Sequence, residues 1–453
     1  MPGLEQKTYV CIDLKCFYAS VECVARGMDP NTAKLVVADP TRERTTICLA
    51  ISTAMKKLGV RNRCRVFEIP EGIEYFKAKP RMRLYMQKSA EIYALYLRRV
   101  SPADIYPYSI DECFIDATSY LSACGMTARQ FAQTLIDDVE REVGIRATAG
   151  IGENLFLAKV ALDVLAKHDP HFIGELDEAS FRARMWHHQP ITDIWNIGPG
   201  IAARLAKHGA RTLFDVTRLS EELLYREFGV NAEFLIDHAW GQEPCTIADI
   251  KAYKPRGKSI ANGQVLASGY AFEDARIVLR EMVESSALDM LDKGLAARRV
   301  SVHVGYENIS AAKAAELREA QVFDGGHGLR IVGPGARNDG WHESGGGAKT
   351  LDAATNSFRT LFETAASIYD EQVDRSRSVK RIMLGFSLIE PAEGSQLSLF
   401  SAPEEKRRER DLQKAMLAVQ TKFGKNAVLF GTSYREKATM RERNGQIGGH
   451  NAG

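Results

Sequence analysis

Apolar positions in the first part of the chain come in short runs. Thr8 to Leu14 reads Thr-Tyr-Val-Cys-Ile-Asp-Leu, a run with one charged residue beside its end, and predicts a buried strand; Lys15 to Glu22 then has helical character. Leu35 to Ala38 and Thr46 to Ile51 predict two strands, and Ser52 to Leu58 a short helix stopped by Gly59. Arg81 to Val100 places Leu84, Ala90, Ile92, Tyr93 and Leu97 near the helical period and leads into turns at Pro102 and Pro107. Tyr106 to Thr118 is β-prone, Thr127 to Val143 is helical in pattern, Ala147 to Gly152 is a small-residue strand, and Glu153 opens a helix reaching Lys167.

Strand, helix, hairpin, helix, strand is the series of a ferredoxin-like α+β layer, here discontinuous in sequence. Asp193 to Gly209 reads as helix, glycine turn, helix, with Gly198 and Gly200 in the turn. The pattern is that of a helix-hairpin-helix, whose backbone N–H groups receive DNA phosphates without reading sequence, or of an ordinary αα-hairpin. Further on come a strand (Ser259 to Ala267), a helix (Phe272 to Leu291) and a strand (Arg298 to Tyr306). Asn308 to Lys349 is poorly patterned, with nine glycines between Asp324 and Gly347, and reads as a loop or a hairpin. A helix (Asn356 to Tyr369) and a strand (Val379 to Ile389) complete a second βαββαβ set. From Pro391 the composition is tail-like, with a charged helix from Glu404 to Phe423.

At 453 residues the chain has room for several cores. Its net charge of +2 identifies no polyanion partner, but the distribution is uneven. Arg42 to Arg65 holds seven basic residues and one acid, and Lys251 to Lys258 four basic residues and none. Each run alone also reads as a solvated face. The eight cysteines contain no Cys-x-x-Cys pair, and several lie in apolar runs, as reduced core residues of a cytoplasmic protein do. No apolar run approaches the roughly twenty residues of a membrane span, so no membrane partner is expected.

The candidate chemistry starts from Asp111 and Glu112. Neighbours in a strand point to opposite faces, so two adjacent acids share a site only at a turn or bulge, which a hairpin tip at Ser109 to Asp111 supplies. Carboxylates brought together repel and call for a raised pKa, a basic partner or a divalent cation. Asp13, at the end of the first strand, is a third acid; taken alone it also reads as a strand end or a helix cap.

Asp13-Leu-Lys-Cys-Phe-Tyr-Ala-Ser-Val-Glu22 and Tyr108-Ser-Ile-Asp-Glu-Cys-Phe-Ile-Asp116 resemble, in order and spacing, the two palm motifs of the Y-family DNA polymerases of the DinB/UmuC type. The resemblance implies a right-hand polymerase: a ferredoxin-like palm (1–25 and 81–180), small fingers (26–80), a helical thumb with the helix-hairpin-helix (181–245), a βαββαβ little finger (246–390) and a tail (391–453). It implies two Mg2+ ions on Asp13, Asp111, Glu112 and the Leu14 carbonyl, with primer-template DNA and deoxynucleoside triphosphates as partners. Phe17, Tyr18, Lys56 and Lys159 fall at nucleotide-binding positions, Tyr18 at the sugar-sensing one. Thr53 and Lys56 stand where many members carry Tyr and Arg, and Lys159 and Lys167 are eight apart, one more than in some relatives. Lys254, Arg256, Arg298, Arg299, Lys380 and Arg381 become candidates for DNA-backbone contacts. Gln396-Leu397-Ser398-Leu399-Phe400 resembles the bacterial sliding-clamp-binding peptide, through Gln396, Leu397, Leu399 and Phe400. The implied activity is damage-tolerant, template-directed DNA synthesis. A catalytically inactive DNA- and clamp-binding relative is the alternative, but it would be expected to lack one of the three acids. A nucleotidyl cyclase shares the paired carboxylates but needs neither the thumb nor the clamp peptide.

Overall fold

The computed structural model describes residues 7–40, 44, 46–255, 257–307, 344–392 and 403–453, which form two compact units, one of residues up to Tyr253 with His450–Gly453 and one of Lys254–Gly449. Arg256 and the peptide Gln396 to Phe400 lie outside the described residues.

Up to Tyr253 the described residues of the first unit form, in chain order, β1 (Tyr9–Leu14), β2 (Leu35–Val37), β3 (Ala50–Ile51), β4 (Phe76–Ala78), β5 (Ile105–Pro107), β6 (Glu112–Asp116), β7 (Ala147–Gly152) and β8 (Ile173–Leu176). The larger sheet has the order β5-β6-β1-β7-β8, with β1 central and antiparallel to both neighbours and β8 added parallel to β7. Both faces of β1 are buried, Val10 and Ile12 on one and Tyr9 and Cys11 on the other, which is why its sequence is a continuous apolar run. Tyr9, Cys11 and Phe114 pack with Leu155, Ala158 and Leu162 of the helical segment that follows β7. That segment lies so close that a Cβ at Gly150 would sit 2.1 Å from the Ala158 carbonyl oxygen, and one at Gly152 2.3 Å from the Ala158 nitrogen. The small-residue strand is therefore a requirement of the helix above it. The segment is α-helical over Leu155–Val160, π-helical over Ala161–Leu165 and 3-10 over Ala166–His168.

A small sheet, β3-β2-β4, packs Val36 and Ile51 against Met55, Val66 and Ile69. Strand β4 went unrecognised in the sequence because its three residues carry no period. The helices between 178 and 240 share a core with Phe156, Phe181, Leu205, Leu213 and Leu224. The helix expected from Asp193 is only a 3-10 turn, Ile191–Asp193, after Pro190; the helix that follows the glycine turn is Pro199–Lys207. The boundary expected at 246 falls later, because the helix Ile247–Ala252 puts Ile247 into the core with Tyr9 and Phe114.

The second unit contains β9 (Ser259–Tyr270), β10 (Leu295–Tyr306), β11 (Ser344–Thr355) and β12 (Val379–Pro391) in the antiparallel order β11-β10-β12-β9. Helices Phe272–Asp292 and Phe358–Gln372 complete a β-α-β-β-α-β series and cover one face, burying Leu279, Met282, Val302, Leu361, Leu384 and Phe386. Strand β11 corrects the expectation that the glycine-rich stretch was unpatterned to Lys349: Gly345, Gly346 and Gly347 pair with Val304, His303 and Val302. Gly346 has φ 131°, and a Cβ there would meet the Val302 carbonyl at 2.1 Å.

Residues 403–449 of the expected tail are built into this unit. Helix Pro403–Phe423 presents Glu409, whose carboxylate accepts from the Ser357 hydroxyl (2.8 Å) and the Arg359 N–H (2.8 Å) and so caps helix Phe358–Gln372. Phe430 stacks on Phe358 at 5.6 Å, and Glu281 accepts the Thr439 and Met440 N–H groups at 2.8 and 3.0 Å.

Candidate active site

The acids come together at the ends of neighbouring strands. Asp13 of β1 is directly opposite Glu112 of β6, with Thr148 of β7 on its other side. By the alternation of the pleat all three lie on the face that carries Tyr9, Cys11 and Phe114, beneath the helix bearing Lys159. Asp111 reaches the same end through the expected turn. The Ser109 hydroxyl accepts from the N–H groups of Asp111 (3.3 Å) and Glu112 (3.1 Å) and donates to Asp111 Oδ1 (2.6 Å), while the Asp111 carbonyl accepts from Leu14 N at 2.9 Å.

Burial, then Glu112 and then Asp111, push the Asp13 carboxyl up to about 7. Glu112 is raised as well, chiefly by burial, against the pull of Lys159. Lys159 Nζ donates to Glu112 Oε1 at 2.7 Å and lies 3.3 Å from Asp163. Among the described residues no three His, Cys, Asp or Glu side chains are gathered to hold a metal ion as they stand, with Glu112 held by Lys159. All the donors are hard carboxylate or carbonyl oxygens, and Asp13 carries repulsion that a cation would relieve, so the set suits Mg2+ in kind.

Tyr18 is half-buried and stacks on Tyr85 with centroids 4.5 Å apart. The Tyr85 hydroxyl donates to Glu22 Oε1 at 2.7 Å, and Glu22, itself without exposed surface, also binds Arg81 (3.0 and 2.8 Å) and Arg26. This network fixes the ring under Tyr18. It was missed in the sequence, although Glu22 closes the first motif, since Arg81 and Tyr85 lie on a later helix. The Phe17 side chain is 3% exposed and belongs to the core, so what it can offer a ligand is its backbone N–H at the start of helix Phe17–Val24. Lys56 is exposed near the end of helix Thr53–Lys57. Lys15 was also passed over: its ammonium lies over Phe172 at 4.5 Å, and burial, with Arg146, Lys56 and Lys57 nearby, lowers its pKa.

Gly198 caps helix Pro199–Lys207 without a side-chain hydrogen bond, and a Cβ at Gly198 or Gly200 would meet nothing within 4 Å, so the first amides of that helix are open. In the second unit the sheet face away from the helices carries exposed Arg299, His303, Arg381 and Met383 among Ala261, Gly263, Ser301 and Gly385. Arg298 and Lys380, beside register shifts, donate to the Leu351 carbonyl (3.2 Å) and the Ala267 carbonyl (2.7 Å). Lys254 is exposed.

Comparison with known proteins gives consistent matches. The impB/mucB/samB family matches residues 12–163, and the C-terminal domain of that family residues 257–399. The chain is 30% identical over 448 residues to a Bacillus subtilis protein named for UV-damage repair, UvrX, with 98% of each chain covered. It is 28% identical over 446 residues to DNA polymerase IV 2 of Halalkalibacterium halodurans, covering 98% of this chain and 99% of the relative. A solved Y-family DNA polymerase chimera shares the fold at a TM-score of 0.58 and 18% identity, covering 84% of this chain and 99% of its own.

Proposed function

Because the chain belongs to the impB/mucB/samB family, the DinB/UmuC type of Y-family DNA polymerase, we infer that it is a translesion DNA polymerase adding deoxynucleotides to a primer 3′ end. The observation that carries the reading is the meeting of Asp13, Asp111 and Glu112 at adjacent strand ends. On this reading the larger sheet of the first unit is the ferredoxin-like palm, the β3-β2-β4 segment the fingers, and the helices between 178 and 240 the thumb. The second unit contains the little finger. Among the described residues no helix is long and apolar enough to cross a membrane.

The three carboxylates and the Leu14 carbonyl would hold two Mg2+ ions, which would supply a lowered pKa for the primer hydroxyl and neutralisation of charge on the triphosphate. This chain's own residues do the rest. The Tyr18 ring, backed by Tyr85, floors the space for the sugar and leaves no room for a 2′-hydroxyl. Lys56 and Lys159 share the phosphate charge, and the Phe17 N–H adds a donor. The open amides after Gly198 and Gly200 take template or primer phosphates, and Lys254, Arg256, Arg298, Arg299, Lys380 and Arg381 supply backbone contacts that position DNA without reading it.

The Gln396 to Phe400 peptide tethers the enzyme to the bacterial sliding clamp, raising the effective primer concentration to about millimolar with no new contact at the active site. Replacing Leu399 and Phe400 with Ala should then leave unassisted synthesis unchanged and remove stimulation by the clamp. Extension of a labelled primer with and without Mg2+ tests the whole reading: metal-dependent, template-directed extension is expected, and none with Mg2+ present overturns it.

A further inference from the structure

Lys159 is placed in conflict with the ions that the carboxylates are read as holding. Its ammonium is 2.7 Å from Glu112 and 3.3 Å from Asp163, and its side chain is only 6% exposed. A divalent cation on Glu112 would face this positive charge across one carboxylate, and the lysine side chain is too buried for water to solvate the ammonium in its place. Asp163 offers the alternative. It lies within the π-turn Ala161–Leu165, and that turn is pressed onto β8, where a Cβ at Gly174 would meet the Ala161 carbonyl at 2.3 Å and Leu165 Cβ at 2.9 Å. The wide turn starts two residues after Lys159 and holds Asp163 on the Lys159 ammonium.

We propose that Asp163 is a positioning residue for metal binding, the carboxylate to which Lys159 moves when a cation takes Glu112. The transfer needs only rotation about the last bonds of the lysine side chain, because both acceptors are already within reach. No covalent bond forms or breaks, and Lys159 stays charged throughout. Without the Asp163 carboxylate, Glu112 is the remaining ion-pair partner of the ammonium among the described residues, and the lysine competes with the cation for it.

The inference rests on the two-cation reading and is tested with Mn2+ alone on the full chain, following the free-ion electron paramagnetic resonance signal. Asp163→Asn should raise the Mn2+ dissociation constant about tenfold, the scale of outer-shell changes at metal sites. Asp163→Glu should restore it, and the Asn change should have less than about a twofold effect once Lys159 is replaced by Gln, or by Met if that variant folds better. An unchanged dissociation constant in Asp163→Asn overturns the inference while leaving the metal reading intact. So does an equal loss with and without Lys159, since Asp163 would then act through its charge alone. A parent protein that takes up no Mn2+ overturns both readings.

Discussion

The two main sheets of this protein share a layout, antiparallel at the centre with helices packed against them, yet they treat charge in opposite ways. In the first, Asp13 and Glu112 sit at strand ends beneath a helix pressed onto Gly150 and Gly152; burial raises both carboxyls, and the neighbouring carboxylates add to it, Glu112 and Asp111 at Asp13, and Asp163 and Asp111 at Glu112. In the second, Arg299 and Arg381 stand exposed on the sheet face that the described helices leave free, beside Ser301, His303 and Met383. A group that must hold a cation gains from a dry, crowded place where electrostatic interactions are strong; one that must follow a phosphate backbone gains from being spread out and solvated. The glycines show the same contrast. Those of β7 admit a helix, whereas Gly263 in β9 has only distant neighbours, the nearest 4.0 Å from an added Cβ.

The largest expected break in this comparison is at the acids. Asp111→Asn should cut primer extension by about a thousandfold and leave DNA affinity within about twofold, because on the proposed reading Asp111 would bind the ions and other residues the phosphates. Near-normal extension by the variant would remove Asp111 from the site. Next in size are the glycines. Gly150→Ala should cost about 3 kcal/mol or prevent folding, while Gly263→Ala should change stability by less than about 0.5 kcal/mol, as read from denaturant midpoints. Equal losses would mean that the second sheet is as closely covered as the first. Tyr18→Ala should raise the ratio of ribonucleotide to deoxyribonucleotide incorporation roughly tenfold. A ratio matching the parent's, with a lower melting point, would mark Tyr18 as a packing residue beside Tyr85. The smallest effect belongs to the open face: Arg381→Ala should weaken binding evenly across DNA sequences and reduce the salt slope of log affinity by about 1. Weakening confined to particular sequences would point to base contacts instead.

The three acids, their order and the hairpin turn that carries two of them were legible in the sequence, because each depends on a few neighbouring residues: a buried strand with Asp13 near its end and a Ser109 turn that holds Asp111 and Glu112. The β-α-β-β-α-β series was legible to the extent that hydrophobic period marks an element. It did not reveal β11, since three successive glycines have no period, nor the docking of residues 403–449, since a charged helix reads as solvated until its partner is known. Period says which side of an element is apolar and nothing about what covers it. Only the tertiary structure brought Lys159 onto Glu112, 47 positions away, set Asp163 beside it through a π-turn, closed Arg81 and Tyr85 over Glu22, and buried Phe17 one residue from the exposed edge of Tyr18. The contacts on Glu112 and Glu22 join residues remote in the chain, and the π-turn is set by how closely backbone can approach backbone, a property that glycine permits and that no hydrophobic pattern records.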